Sequence, residues 1–171
     1  MGDGDNHSFS MADIADKPIT RRRALATGRI RVGREAFELL QGNALPKGDA
    51  LAMAEISGIQ GAKLTPMLLP LCHPIALSRV AVHTFLDAQE QAVEVYALAE
   101  IKERTGVEME ALTGVSIALL TIWDLVKPVN PALSIEGVRL LFKSGGKRGE
   151  WRHPDGMPVA ANALLDGSGE S

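Results

Sequence analysis

The stretch RTGVEMEALTGVSIALLTIWDLVK, Arg104 to Lys127, limits the fold more than any other part of the chain. No charged residue stands between Glu110 and Asp124. A helix that is apolar on nearly every side must be buried on most sides. That uncharged interior spans 13 residues. A bilayer helix needs roughly 20, so no membrane span is expected.

Charge returns only at the ends of this helix. Thr105 and Glu108 have the spacing of a capping box, with Thr105 at the N-cap and Glu108 at the third helical position. Glu110 lies just past the first turn, on a helix with little polar surface. A buried carboxylate needs a partner or a raised pKa, and a raised pKa suits a general acid. Asp124 and Lys127 stand three apart and share a face, so they can pair. Fourteen positions separate Glu110 from Asp124, which is about 21 Å of helix. One small substrate does not easily touch both ends. Two antiparallel copies about a two-fold axis would bring the start of one near the end of the other.

The rest of the chain supplies a sheet for this helix. Arg21–Val32 alternates in rough fashion and reads as a strand. GREAFELLQG is a short helix stopped by Gly42. Asp49 caps a long helix expected to run to about Met67. Gly58 and Gly61 lie inside it, against helix propensity, and imply close packing. SRVAVHTFLD and QAVEVYALAEI form a hairpin about the polar AQE, and SIEGVRLLFKSGG is a last strand. The order is that of an α+β, ferredoxin-like β-α-β-β-α-β sandwich, an antiparallel sheet with helices on one face and an extra short helix. Residues 1–10 read as a disordered leader, 11–149 as the functional domain and 150–171 as a flexible tail without clear period.

Composition excludes several functions. The net charge of −3 argues against a nucleic-acid coat. Aromatic residues make up 4% of the chain, too few for a base-stacking platform. The single cysteine, Cys72, excludes an internal disulfide and a Cys-rich zinc site. A polar, acidic N-terminus is no signal peptide, so a cytoplasmic location is expected.

Weaker signals gather around the helix. His73 follows Cys72 between Pro70 and Pro74, on rigid irregular backbone. Alone it is more often structural, and it lacks companions at zinc-ligand spacing. Lys47 precedes a helix start, and Lys63 stands 16 positions on, at the far end of that helix. KSGGK, Lys143–Lys147, is a glycine loop between lysines that could cradle a phosphate. It is not a Walker A loop. KPITRRR adds a basic cluster whose bland reading is a solvated charge run. Several basic loops in an acidic protein suggest a local anionic ligand.

Together KGDALAMAEISGIQGAKLT, PLCHPIALS, TGVEMEALTGVSIALLTIWDLVK and VRLLFKSGGKRG resemble the MoaC family of cyclic pyranopterin monophosphate synthases, of molybdenum cofactor biosynthesis. The resemblance runs in order from about Met11 to Gly149. It implies conversion of 3′,8-cyclo-7,8-dihydro-GTP to cyclic pyranopterin monophosphate with release of pyrophosphate. It also implies a homo-oligomer, a hexamer built as a trimer of dimers with sites at a dimer interface.

By the same resemblance Lys47, Lys63, His73, Glu108, Glu110, Asp124 and Lys127 serve substrate binding and catalysis. Lys63 and Lys127 take acid/base or electrostatic roles, with Asp124 tuning Lys127. Arg22, Lys47, Lys143 and Lys147 hold the triphosphate. Glu108 both caps the helix and faces the site, and Cys72 lies in the matched segment without an assigned step. No cofactor is required; magnesium is compatible with the triphosphate, though no sequence feature binds it. Pro128, Arg148 and Trp123 depart from the family pattern, and Pro128 ends the helix beside Lys127. The rivals are a nucleotide-binding module without catalysis, which has no use for Glu110 or His73, and a metal-dependent phosphohydrolase, which needs a ligand cluster.

Overall fold

The structure is a computed structural model that describes residues 9–167. The expected leader therefore lies, but for its last two residues, outside the described part, as do the last four residues of the tail. The elements are β1 (Thr20–Arg31), α1 (Arg34–Gln41), α2 (Ala50–Lys63), α3 (Thr65–Leu68), β2 (Arg79–Asp87), β3 (Ala92–Glu103), α4 (Glu108–Val126), β4 (Ser134–Ser144), β5 (Trp151–Arg152) and α5 (Val159–Asp166). The strands form one antiparallel sheet in the order β2-β3-β1-β4-β5. Its first four strands with α2 and α4 make the expected ferredoxin-like unit, and α1 is the extra short helix.

The middle of β1 is apolar on both faces, which suits a central strand. Ala24, Ala26 and Ile30 join the larger core beneath the helices, while Leu25 joins a second cluster with Tyr96, Leu98, Leu141 and Phe142. Helix α4 lies on β1, β3 and β4 and beside α2. Ala111, Val115, Ala118, Leu119, Ile122 and Val126 on it are fully buried. It runs 19 residues, its charged start included. By length and composition alone such a helix could cross a membrane, yet half of that span is buried inside the fold.

Helices α2 and α4 touch almost backbone to backbone. A methyl group on Gly58 would stand 2.9 Å from the Gly114 carbonyl oxygen, and one on Gly61 2.6 Å from the Ile117 side chain. The close packing expected at these two glycines is thus present.

Three local expectations change. The helix capped by Asp49, whose carboxylate accepts from the Leu51 and Ala52 amides, ends at Lys63 rather than near Met67. Pro66 has no N–H for the Ala62 carbonyl, and the Thr65 hydroxyl takes that carbonyl instead at 3.0 Å. No capping box forms at α4: the N-cap is Val107, and no side chain caps it. Glu108 turns away to pair with Lys143 at 3.1 Å, because an ammonium offers a carboxylate more than a neutral amide does. Finally, the segment read as a flexible tail without clear period carries β5 and α5. Ala161, Leu164 and Leu165 of α5 pack on the sheet face opposite the other helices. Before Asp166 this helix carries three alanines and no charged residue, so no polar face marks a period in the sequence as one does in α1.

Candidate active site

The start of α4 gathers one group of candidate residues. Cys72, His73, Glu108 and Glu110 line a cleft of about 230 Å³ together with Leu71, Ile75, Thr105 and Met109. The irregular, proline-flanked chain after α3 brings Cys72 and His73 there, and the first turn of α4 brings the two carboxylates. His73 Nε2 is 2.9 Å from the Ala12 carbonyl oxygen, so in the tautomer that makes this bond Nε2 donates.

Glu110 is 3% exposed. Burial pushes its pKa up, its own backbone amide pulls the other way, and the Glu108 charge adds to the rise. The carboxyl therefore keeps its proton at a higher pH than an ordinary glutamate, as the sequence suggested for this position. Burial, and then the Glu110 charge, also pushes the Cys72 thiol up. A thiol raised in this way is a poor nucleophile at neutral pH.

A cationic cavity of about 650 Å³ adjoins this cleft, with Thr105, Gly106 and Glu108 lining both. Arg22, Lys143 and Lys147 line it with Lys17, Arg104, Arg148 and Trp151. Strand alternation sorts the N-terminal basic cluster. Arg21 and Arg23 pair with the buried Glu100, at 2.7 Å and 3.2 Å. Arg22 lies between them in sequence and points to the other face, where it donates to the Glu103 and Arg104 carbonyls. The glycine loop is shaped around it. Gly145 and Gly146 have φ of 100° and 73°, where side chains are strained. A methyl group would meet the Arg21 carbonyl at Gly145 and the Arg22 guanidinium at Gly146. Among the described residues no carboxylate pairs with Lys147, which leaves its charge for an anion.

Lys63 ends α2 and lines a third cleft, of about 540 Å³, with Ser78 and Arg79. Ile75 belongs both to this cleft and to the one holding His73 and Glu110, so the two adjoin.

The remaining candidates stand apart, at the other end of α4. Lys127 Nζ is 2.7 Å from one Asp124 oxygen and Lys47 Nζ 3.2 Å from the other. The bland reading of Asp124 and Lys127 as an i, i+3 pair is thus realised, with Lys47 as an added partner. Lys127 keeps helical dihedrals before Pro128, and its amide still donates to the Trp123 carbonyl. The hydrogen bond from Lys127, then that from Lys47, holds the Asp124 carboxyl below the usual aspartate range. All three side chains are about half exposed, so this cluster adds little stability. What it contributes exists above the ordinary aspartate pKa and is lost as pH falls through the depressed one. A carboxyl NMR titration should find Asp124 below the usual value, and Lys127→Ala should bring it back further than Lys47→Ala.

One chain therefore holds the candidates in two sets. Arg22, Lys63, Cys72, His73, Glu108, Glu110, Lys143 and Lys147 cluster around the start of α4, and Lys47, Asp124 and Lys127 lie at its end. Sequence reasoning passed over Leu71, Arg104, Thr105, Met109 and Trp151 as lining residues. The first four sit inside or beside the motifs it singled out. Trp151 gave no signal, because its segment read as a loose tail.

A sequence model of the MoaC family matches residues 11–146. The cyclic pyranopterin monophosphate synthase of Streptomyces griseus is 51% identical over 148 residues, 85% of this chain and 82% of that protein. The protein of the same name from Dinoroseobacter shibae is 45% identical over 141 residues, 82% of this chain and 89% of that one. Molybdenum cofactor biosynthesis protein 1 of Mus musculus is 46% identical over 142 residues, which span 83% of this chain and 22% of that protein.

Proposed function

The chain belongs to the MoaC family, and from that premise we propose that it is a cyclic pyranopterin monophosphate synthase, a lyase of molybdenum cofactor biosynthesis. Its substrate is 3′,8-cyclo-7,8-dihydro-GTP, and its products are cyclic pyranopterin monophosphate and pyrophosphate. The observation that carries this reading is one juxtaposition. A buried carboxyl with a raised pKa and a histidine share a cleft wall with a cavity lined by Arg22, Lys143 and Lys147. A nucleotide triphosphate that must also exchange protons at its ring needs both halves.

The cations take the triphosphate. A sugar hydroxyl oxygen attacks the α-phosphorus and gives up its proton to water as the P–O bond forms, the bond to the β-phosphate breaks, and pyrophosphate leaves with the electron pair. Lys147, Lys143 and Arg22 offset the charge that gathers on it. Ring opening and re-closure at the other end need a proton given and a proton taken. Glu110 can give one at a pH where ordinary carboxylates are ionised, and His73, on the wall of the same cleft, has a ring nitrogen that can take or pass one on. Lys63, in the adjoining cleft, is placed to act on the same ring. A magnesium ion on the triphosphate would travel with the substrate: among the described residues no His, Cys, Asp or Glu cluster is assembled to hold a metal.

Asp124, Lys127 and Lys47 lie too far along α4 to reach that ring from within one chain. We assign them to the site of a second copy, in an antiparallel dimer within a hexamer. The outer faces of the helices support an oligomer: Ile56 on α2 and Leu120 on α4 leave more than half of their surface open. A cytoplasmic location goes with this chemistry and with the lone, unpaired cysteine.

Subunit complementation tests the whole proposal. Wild-type protein should convert the cyclised nucleotide in a single turnover, with pyrophosphate and pterin appearing together. Glu110→Gln and Lys127→Ala should each be nearly inactive. Co-refolded in equal amounts, they should recover up to about a quarter of wild-type activity, since half of the dimers are mixed and each mixed dimer rebuilds one intact site. No recovery would place both residues in the same chain's site. Tight binding of the nucleotide by wild type without turnover would favour the non-catalytic module.

A further inference from the structure

The segment after Gly149 lies beyond the family match and takes no part in the chemistry above. It still supplies one wall of the cationic cavity. β5 pairs Trp151 with Lys143 and Arg152 with Phe142. Residues paired across antiparallel strands project to the same face, with Cβ atoms about 5 Å apart. Trp151 therefore stands beside Lys143, on the face that carries α4.

The indole is held from several sides. The His153 ring meets it edge to face at 6.0 Å, and the His153 amide donates to the Leu141 carbonyl at 2.9 Å. On the opposite face the Arg152 guanidinium lies over the Phe142 ring at 5.2 Å. Helix α5 buries Leu164 and Leu165 in the cluster that contains Phe142. Arg23 ties down its end by donating to the Leu165 carbonyl at 2.6 Å. A strand of two residues with this many anchors is a built wall. Trp151 as a whole keeps 38% of its surface open.

We propose that Trp151 is a positioning residue for the anionic end of the nucleotide, acting through Lys143, with α5 as the clasp that holds it in place. This rests on the function proposed above. A lysine is a point charge on a flexible four-carbon stem. Lys143 pairs with Glu108 at 3.1 Å. An aromatic wall along its other side limits where the ammonium can swing, so that Glu108 and a bound phosphate are its remaining partners. The same wall shuts out water on the β5 side, and attraction between charges grows as the local dielectric falls. The ligand class is pyrophosphate or a triphosphate ester. The indole reads no base here, so it tunes affinity and does not choose among nucleotides.

The test uses the full chain and two readouts. Pyrophosphate is titrated by calorimetry, and turnover of the cyclised nucleotide is followed at steady state. Trp151→Ala should raise both the pyrophosphate Kd and the KM about tenfold, and lower kcat by less. Trp151→Phe should restore most of the affinity, and Leu164→Ala, which loosens the clasp, should weaken pyrophosphate binding by a smaller factor. The chain has two tryptophans, so Trp123→Phe leaves Trp151 as the sole tryptophan, excited apart from Tyr96 at the red edge of the absorption band. Its fluorescence should then change as pyrophosphate binds. A folded Trp151→Ala protein with unaltered pyrophosphate affinity overturns the proposal. So does silent Trp151 emission at saturating pyrophosphate, a result available even if Trp151→Ala fails to fold. Wild-type protein that binds pyrophosphate but converts no nucleotide defeats the synthase reading and leaves these arms to decide the role of Trp151.

Discussion

Glu110→Gln should lower turnover of the cyclised nucleotide by about 10²–10⁴-fold, the usual worth of a general acid or base, while the protein stays folded. The change keeps the shape of the side chain and removes only its proton chemistry. The sign of the stability effect separates this from a damaged core. Burial raises the folded-state pKa of Glu110 above its unfolded value. Such a group contributes stability below the unfolded pKa, and that contribution is lost as pH rises through the folded value. The wild type therefore loses it progressively as pH rises from the unfolded toward the folded value, whereas glutamine carries no charge at any pH. Glu110→Gln should melt no lower than wild type at pH 7, and any advantage should shrink in acid. The pH profile of kcat should lose one limb. A variant that keeps more than about a tenth of the wild-type rate removes Glu110 from general acid/base work.

Gly58→Leu should act in the opposite way, taking stability first and activity with it. Even a methyl group at this position would press on the Gly114 carbonyl, the Val82 side chain and the Ala118 methyl, at 2.9, 3.0 and 3.2 Å. Two of these neighbours belong to α4, and a backbone carbonyl cannot rotate aside as a side-chain tip can. The helices must separate or α4 must slide on the sheet. Overpacking of this kind costs about 1–3 kcal/mol and occasionally more, and Gly58→Leu belongs at the upper end. On a domain of this size, about 3 kcal/mol lowers Tm by about 6–12 °C. Ala52→Leu, exposed on the same helix, is the control and should melt within about 2 °C of wild type. Because α4 carries site residues at both ends, what remains folded of Gly58→Leu should also turn over more slowly. A melting temperature equal to that of the control would mean that α2 and α4 are not locked together here.

These two residues show how unevenly the chain reveals itself. Gly58 was legible as a packing residue because glycine inside a helix costs propensity and needs a compensating reason. Glu110 was legible because an acid in an uncharged helix is costly to bury. In both cases a residue type conflicts with its local surroundings. Glu108 misled, since the spacing from Thr105 matched a cap, and only the approach of β4 supplied Lys143 as the better partner. Trp151 and α5 were silent. A two-residue strand has no measurable alternation, and α5 gains its meaning from Leu25, Leu98 and Phe142, which are distant in sequence.

By itself the sequence determined the element order, the helix that had to be buried, the ferredoxin-like class and the residue types assembled for an anionic ligand. Periodicity, capping and charge placement are local, and a single chain displays them without folding. The tertiary structure alone decided which candidates meet. It sorted Arg22 from Arg21 and Arg23 by strand alternation, and it joined Cys72, His73, Glu110 and the neighbouring Lys63 cleft around the start of α4. It left Lys47, Asp124 and Lys127 at the far end, and it closed the second sheet face with α5. Those outcomes depend on register and on contacts between distant segments, and no short window of residues contains them.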